Sequence, residues 1–160
     1  MKRSLVVLSS VTALALGVTL GFAQNLDIIK LRRETMRTVL DANVRNYRMI
    51  TEKDPFDLAA AQAGLKTFIE LAPKYKSMFP DDSKTGGGTD ASPKIWQARA
   101  EFDGAIDKWV ADTTAALAVI KDEASFKAEY PKVAADCGNC HKAADGFTLR
   151  LGDSIRKPKP

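Results

Sequence analysis

The chain has 160 residues, 45% hydrophobic and 28% charged, with 24 Lys+Arg against 20 Asp+Glu. That composition suits one soluble globular domain with enough apolar material for a core, and excludes a disordered or fibrous chain. Residues 1–23 contain Lys2 and Arg3 but no acid, which leaves 22 basic and 20 acidic groups beyond them. A net charge of +2 gives no electrostatic ground for binding nucleic acid or a membrane surface.

Met1-Lys2-Arg3 makes a positive start, residues 5–20 are apolar but diluted by Ser, Thr and Gly, and Gly21-Phe22-Ala23 supplies a small-residue exit. This layout predicts a secretory signal peptide over 1–23, cleaved after Ala23 so that Gln24 becomes the N-terminus. An uncleaved anchor is the rival, because 5–22 sits at the low edge of a spanning length. The Ser/Thr/Gly content favours cleavage. No other run approaches that length, so the expected product has no membrane span after signal removal and is exported, most simply to a bacterial periplasm.

Four helical stretches follow in 24–160. From 25 to about 51 there is no Gly or Pro, and Ile29, Met36, Leu40, Val44 and Tyr47 recur at steps of seven, four, four and three, which places them on one helix face. Asp54-Pro55 reads as an N-cap and first-turn proline opening a second helix through Leu58, Leu65, Phe68 and Leu71, which Pro73 ends or kinks. Residues 81–92, with Gly86-Gly87-Gly88, form the one obvious loop. Phosphate binding is disfavoured there, since no strand precedes the glycines and no Gly-Lys-Ser/Thr follows. Ser92-Pro93 restarts helix through Ile95, Phe102, Ile106, Trp109, Thr113, Leu117 and Ile120. A last helix from near Glu123 carries Phe126, Tyr130, Val133, Cys137, Cys140 and Ala144 inward, with Pro131 kinking or restarting it. No strand pattern is present. The expected fold is all-α, an antiparallel four-helix bundle, with a fraying basic tail bearing Arg156, Lys157 and Lys159.

Cys137-Gly138-Asn139-Cys140-His141 uses every cysteine in the chain and its only histidine. C-x-x-C-H reads as an attachment site for one c-type haem. Positions i, i+3 and i+4 share a helix face, so both thiols can form thioethers with the haem vinyl groups while His141 serves as proximal ligand. A redox-active disulfide would belong to a thioredoxin-like βαβ unit, for which there are no strands. Structural zinc needs four ligands, and no second Cys/His pair exists.

The second axial position cannot take a histidine. Among methionines beyond the signal, Met78 lies beside Phe79-Pro80, Met49 near the end of the first helix, and Met36 within it, flanked by Arg32, Arg33 and Arg37. Periodicity leaves ligation and ordinary core filling both open for Met36. Trp96 and Trp109 read as core residues, with the haem edge as an alternative for Trp96.

Together these residues resemble the class II cytochromes c, the cytochrome c-prime family. The likeness extends to Leu71-Ala72-Pro73, Met78-Phe79-Pro80, Asp82-Ser83-Lys84-Thr85-Gly86-Gly87 and Pro93-Lys94-Ile95-Trp96 with Phe102-Asp103. It is similar in particular to the low-spin branch, which implies that Met36 is the sixth ligand. Arg32, four residues earlier, then matches the basic residue that approaches a haem propionate. The family's aromatic–arginine pair after the motif is replaced by Ala144-Asp145, so no gas-binding role passes to Arg150. The resemblance implies a periplasmic electron carrier rather than an enzyme, with unidentified periplasmic redox partners and either a monomer or a helix-packed homodimer. The alternative is a five-coordinate cytochrome c-prime that binds nitric oxide or carbon monoxide. Peroxidase-like catalysis would need an open iron and a distal acid–base group, and no second histidine is present.

Overall fold

Asn25 opens the first helix, α1 (Leu26–Ile50), by accepting the Ile28 N–H on its side chain. The computed structural model describes residues 24–141, 143–144 and 147–148. The expected signal peptide, Arg150 and the basic tail lie outside the described residues. α2 (Leu58–Lys76) leads back, a 3-10 turn (Asp81–Ser83) begins the glycine loop, and a short α3 (Lys94–Gln97) precedes α4 (Arg99–Val119) and α5 (Glu123–His141). Ala143–Ala144 and Phe147–Thr148 form one short antiparallel pair. The last helix therefore ends at His141, and Ala144 belongs to this turn-back rather than to a helix face.

The four long helices alternate in direction, with α2 and α4 as the central pair, α1 against α2 and α5 against α4. Their shared core contains Leu65 and Phe68 of α2, Phe102, Ile106 and Trp109 of α4, and Phe126, Tyr130 and Val133 of α5. Phe68 packs on Trp109 at 5.3 Å between ring centroids, and Phe126 stacks on Tyr130 at 5.1 Å. Gly64 brings α2 close to α1: a Cβ there would lie 2.8 Å from Nδ2 of the fully buried Asn46.

Four further expectations require correction. The helix expected from Ser92-Pro93 through Ile120 is broken at Ala98, which separates α3 from α4. The second helix is capped by Asp57, which accepts the Ala60 N–H at 3.0 Å, because Arg48 holds Asp54 through two bonds of 2.7 and 2.6 Å. Pro73 and Pro131 sit on exposed positions inside continuous helices and end neither. On α1, Leu40, Val44 and Tyr47 are exposed, whereas Ile29, Arg32, Thr35, Val39, Ala42, Asn46 and Met49 face inward. The inward stripe is rotated because the buried Arg32 guanidinium and the Asn46 amide nitrogen have partners on that side.

Candidate functional site

The C-terminal turns of α5 hold Cys137, Cys140 and His141, all half-buried. The helix starts from a reciprocal cap. Asp122 Oδ1 accepts the Ser125 N–H at 2.8 Å, and Ser125 Oγ accepts the Asp122 N–H at 3.1 Å. Both thiols are free, and burial pushes each up to about 11, reinforced by Asp136. Cys140 packs against the shared core. Two thiols and an imidazole thus lie on one side of a helix end, as the motif requires.

α1 is tied to α5 at the opposite end from the cysteines. Tyr130 Oη donates to Asn43 Oδ1 at 2.6 Å, and Lys127 Nζ pairs with Glu52 at 2.7 Å. These pairs run in opposite chain directions, so the helices are antiparallel. Two turns beyond Tyr130 on the same face is Cys137, and two turns before Asn43 is Met36. At 1.5 Å per residue each lies about 10 Å from this clasp. The register therefore brings Met36 level with Cys137, and Arg32 level with His141. Met36 is half-buried and packs against the core. Met49 lies beyond the clasp and accepts the Asp57 N–H on sulfur at 3.4 Å. Met78 is buried in the core.

Arg32 is only 4% exposed. Its Nη1 donates to the Met78 carbonyl at 3.1 Å and Ser83 Oγ at 3.3 Å, while Nη2 donates to Thr89 Oγ1 at 2.6 Å and the Ser83 carbonyl at 3.4 Å. The guanidinium lies 4.5 Å from the Phe79 ring centroid. All four acceptors are neutral, and burial lowers its proton affinity. A buried cation held only by neutral groups fits the neighbourhood of an anion. The serine and threonine that fix it carried no signal in the sequence, since nothing local links 83 or 89 to 32. Arg33 donates to the Gly87 carbonyl at 3.3 Å, and Arg37 is exposed. Trp96 is half-buried and donates to the Phe79 carbonyl at 3.0 Å; Trp109 is buried in the core.

The donor set suits covalent haem: paired thiols, an imidazole, a level thioether and a buried cation. Among the described residues, no group of three or more His, Cys, Asp or Glu converges to hold a metal ion by itself. No described helix is long and apolar enough to cross a membrane.

The profile of the family described as Cytochrome C' matches residues 27–143. Cytochrome c' of Rhodopseudomonas palustris (strain ATCC BAA-98 / CGA009) is 39% identical over 126 residues, covering 79% of this chain and 86% of that protein. Cytochrome c-556 of the same strain is 39% identical over 92 residues, 55% of this chain and 62% of that one. The solved structure of cytochrome c' from Rhodopseudomonas palustris superposes with a TM-score of 0.70 at 37% identity, covering 75% of this chain and 98% of that one. With the four-helix bundle, the C-x-x-C-H helix end and these likenesses in agreement, the chain belongs to the cytochrome c' family, whose members carry covalent haem c.

Proposed function

We propose that this protein is a periplasmic one-electron carrier whose haem is attached through Cys137 and Cys140 and held axially by His141 and Met36. The antiparallel register of α1 and α5, which sets Met36 level with Cys137 on the facing helix, carries this reading. Covalent haem supplies an Fe(III)/Fe(II) couple. Cys137 and Cys140 fix its position along α5, and His141 offers its imidazole one residue on. Met36 would offer a soft thioether as the second ligand, which would favour the reduced state and leave no coordination site for water or small ligands. Arg32 sets its guanidinium towards a propionate, and Ser83 and Thr89 hold it there. With His141 and Met36 both bound, the haem would have no site for oxygen or peroxide chemistry, and the protein would exchange electrons with periplasmic redox proteins.

A second reading, a five-coordinate haem protein that binds nitric oxide or carbon monoxide, is favoured by the relatives. The one named cytochrome c' matches over more of both chains than the one named c-556. In that case Met36 covers the iron without bonding to it. The optical spectrum of the reduced holoprotein separates the two. Sharp, split bands that collapse to a broad band in Met36→Ala support the carrier, whereas a broad band already present in the unaltered protein overturns it in favour of gas binding.

A further inference from the structure

Directly before Cys137 stands a residue that attachment does not use. Asp136 is 4% exposed and turns from α5 towards α4. Its Oδ1 accepts a hydrogen bond from Lys108 Nζ at 3.0 Å, while Oδ2 is buried and meets no donor among the described residues. Lys108 also pairs with Asp112, one turn on, so a single ammonium serves two carboxylates. Among the described residues, the charged groups that act on Asp136 are these two from α4, Lys108 lowering and Asp112 raising its proton affinity; on its own helix, Cys137 and Cys140 feel its charge in turn. Burial raises the proton affinity of Asp136 above the ordinary carboxylate value, against the opposing pull of Lys108. Lys108 itself is 60% exposed and joins the cluster to solvent.

A plain helix–helix ion pair gives both carboxylate oxygens donors, whereas Oδ2 of Asp136 is buried with none among the described residues. The placement gives that oxygen a use. Reduction of a haem attached at Cys137, the next residue, would remove one positive charge from the group beside Asp136, and a buried anion there would become costlier to keep. A neutral Asp136 relieves that cost, and its Oδ2 is the open position for the proton.

We propose that Asp136, held by Lys108 and Asp112, takes up a proton when the haem on Cys137 is reduced, so that electron transfer by this protein is coupled to pH. The redox partner supplies one electron to the iron, solvent supplies one proton to Asp136 Oδ2, and oxidation releases both. This rests on attachment at Cys137 and not on Met36, so it holds for either coordination of the iron.

Spectroelectrochemical titration of the holoprotein from pH 4 to 9 tests it. The reduction potential should be level at both extremes and fall with rising pH across an intermediate window. A tenfold difference in proton affinity between the two oxidation states corresponds to a fall of about 59 mV for one electron. Asp136→Asn should stay near the upper level throughout. Lys108→Met, an exposed change that leaves Asp136 in place, should move the window to higher pH. A flat profile in the unaltered protein, an unchanged fall in Asp136→Asn, or an unmoved window in Lys108→Met would each overturn the proposal. Should Asp136→Asn fail to accumulate, Lys108→Met decides alone. The reduced spectrum of the same samples reports coordination separately, so loss of the Met36 reading and loss of the proton linkage are distinguishable.

Discussion

Replacing Arg32 with methionine keeps most of the side-chain stem but removes a buried guanidinium and its four hydrogen bonds. Ser83 Oγ keeps its bond to the Pro80 carbonyl, and Thr89 Oγ1 still accepts the Ala91 N–H. The Met78 and Ser83 carbonyls lose the donors that Arg32 provides, at about 1–2 kcal/mol each. Loss of the cation over Phe79 adds about 1 kcal/mol. Relief of burying the charge would offset much of this if the guanidinium faced no anion. With a propionate facing it, that relief is absent, and the net loss is about 3 kcal/mol. For a domain of this size the melting temperature should fall by about 10 °C. Denaturant and thermal unfolding of the holoprotein read the difference, and Arg32→Lys should restore less than half of it because an ammonium lacks the two-nitrogen fork. A loss under about 1 kcal/mol, or a lysine as good as arginine, would refute the assignment of Arg32 to a propionate.

Gly64→Ala should destabilise by about 1–2 kcal/mol in urea, because the added methyl meets Asn46 across the α1–α2 contact and outweighs the gain in helix propensity; an increase in stability would show that Asn46 yields. Gly86→Ala should cost about as much, since Gly86 has φ +85° and its Cβ would enter the Gln24 side chain. In protein produced without haem attachment, alkylation of Cys137 and Cys140 should be slow at pH 8 and accelerate towards pH 11, where burial places their ionisation; rapid reaction at pH 8 would contradict the buried setting. Asp136 has its proton affinity raised by folding, so the stability it contributes is present at low pH and is lost as pH rises through its folded value. Glu52, Asp54, Glu70, Asp112 and Asp122, whose proton affinity folding lowers, act in the opposite sense, so chemical denaturation across pH 3–7 should show the Asp136 contribution as the difference between the unaltered protein and Asp136→Asn, falling as pH rises.

Much of this architecture is legible in the residues themselves. Apolar spacing marks the long helices, Glu123 marks the start of α5 while Ser92-Pro93 marks only that of the short α3, and C-x-x-C-H marks a helix end without any tertiary information. The inward face of α1 is not legible, because Arg32 and Asn46 are buried by partners distant in sequence: a loop hydroxyl at 89 and the Ala61 carbonyl. An apolar count therefore selects Leu40, Val44 and Tyr47, which face out. The break at Ala98 is equally hidden, with no Gly or Pro to announce it. Arg99 reaches the Lys76 carbonyl at 2.7 Å and Trp96 reaches Phe79, and together these bonds turn the chain there. Asp136 escapes notice for the same reason, since an acid before a cysteine looks ordinary until α4 encloses it.

The segment around the three glycines has the composition of a tether and the construction of a wall. Asn25 donates its backbone N–H to the Asp82 carbonyl, Gln24 reaches Thr85, Arg32 grips Ser83 and Thr89, and Lys84 pairs with Asp81 while lying 5.9 Å from the Trp96 ring. A peptidase needs several residues of extended chain in its cleft, and no such length can be lifted away here without first releasing the buried guanidinium. The Lys84–Thr85 bond should accordingly resist trypsin for as long as the bundle stands, and nicking at that point would serve as a timer for the loosening of α1.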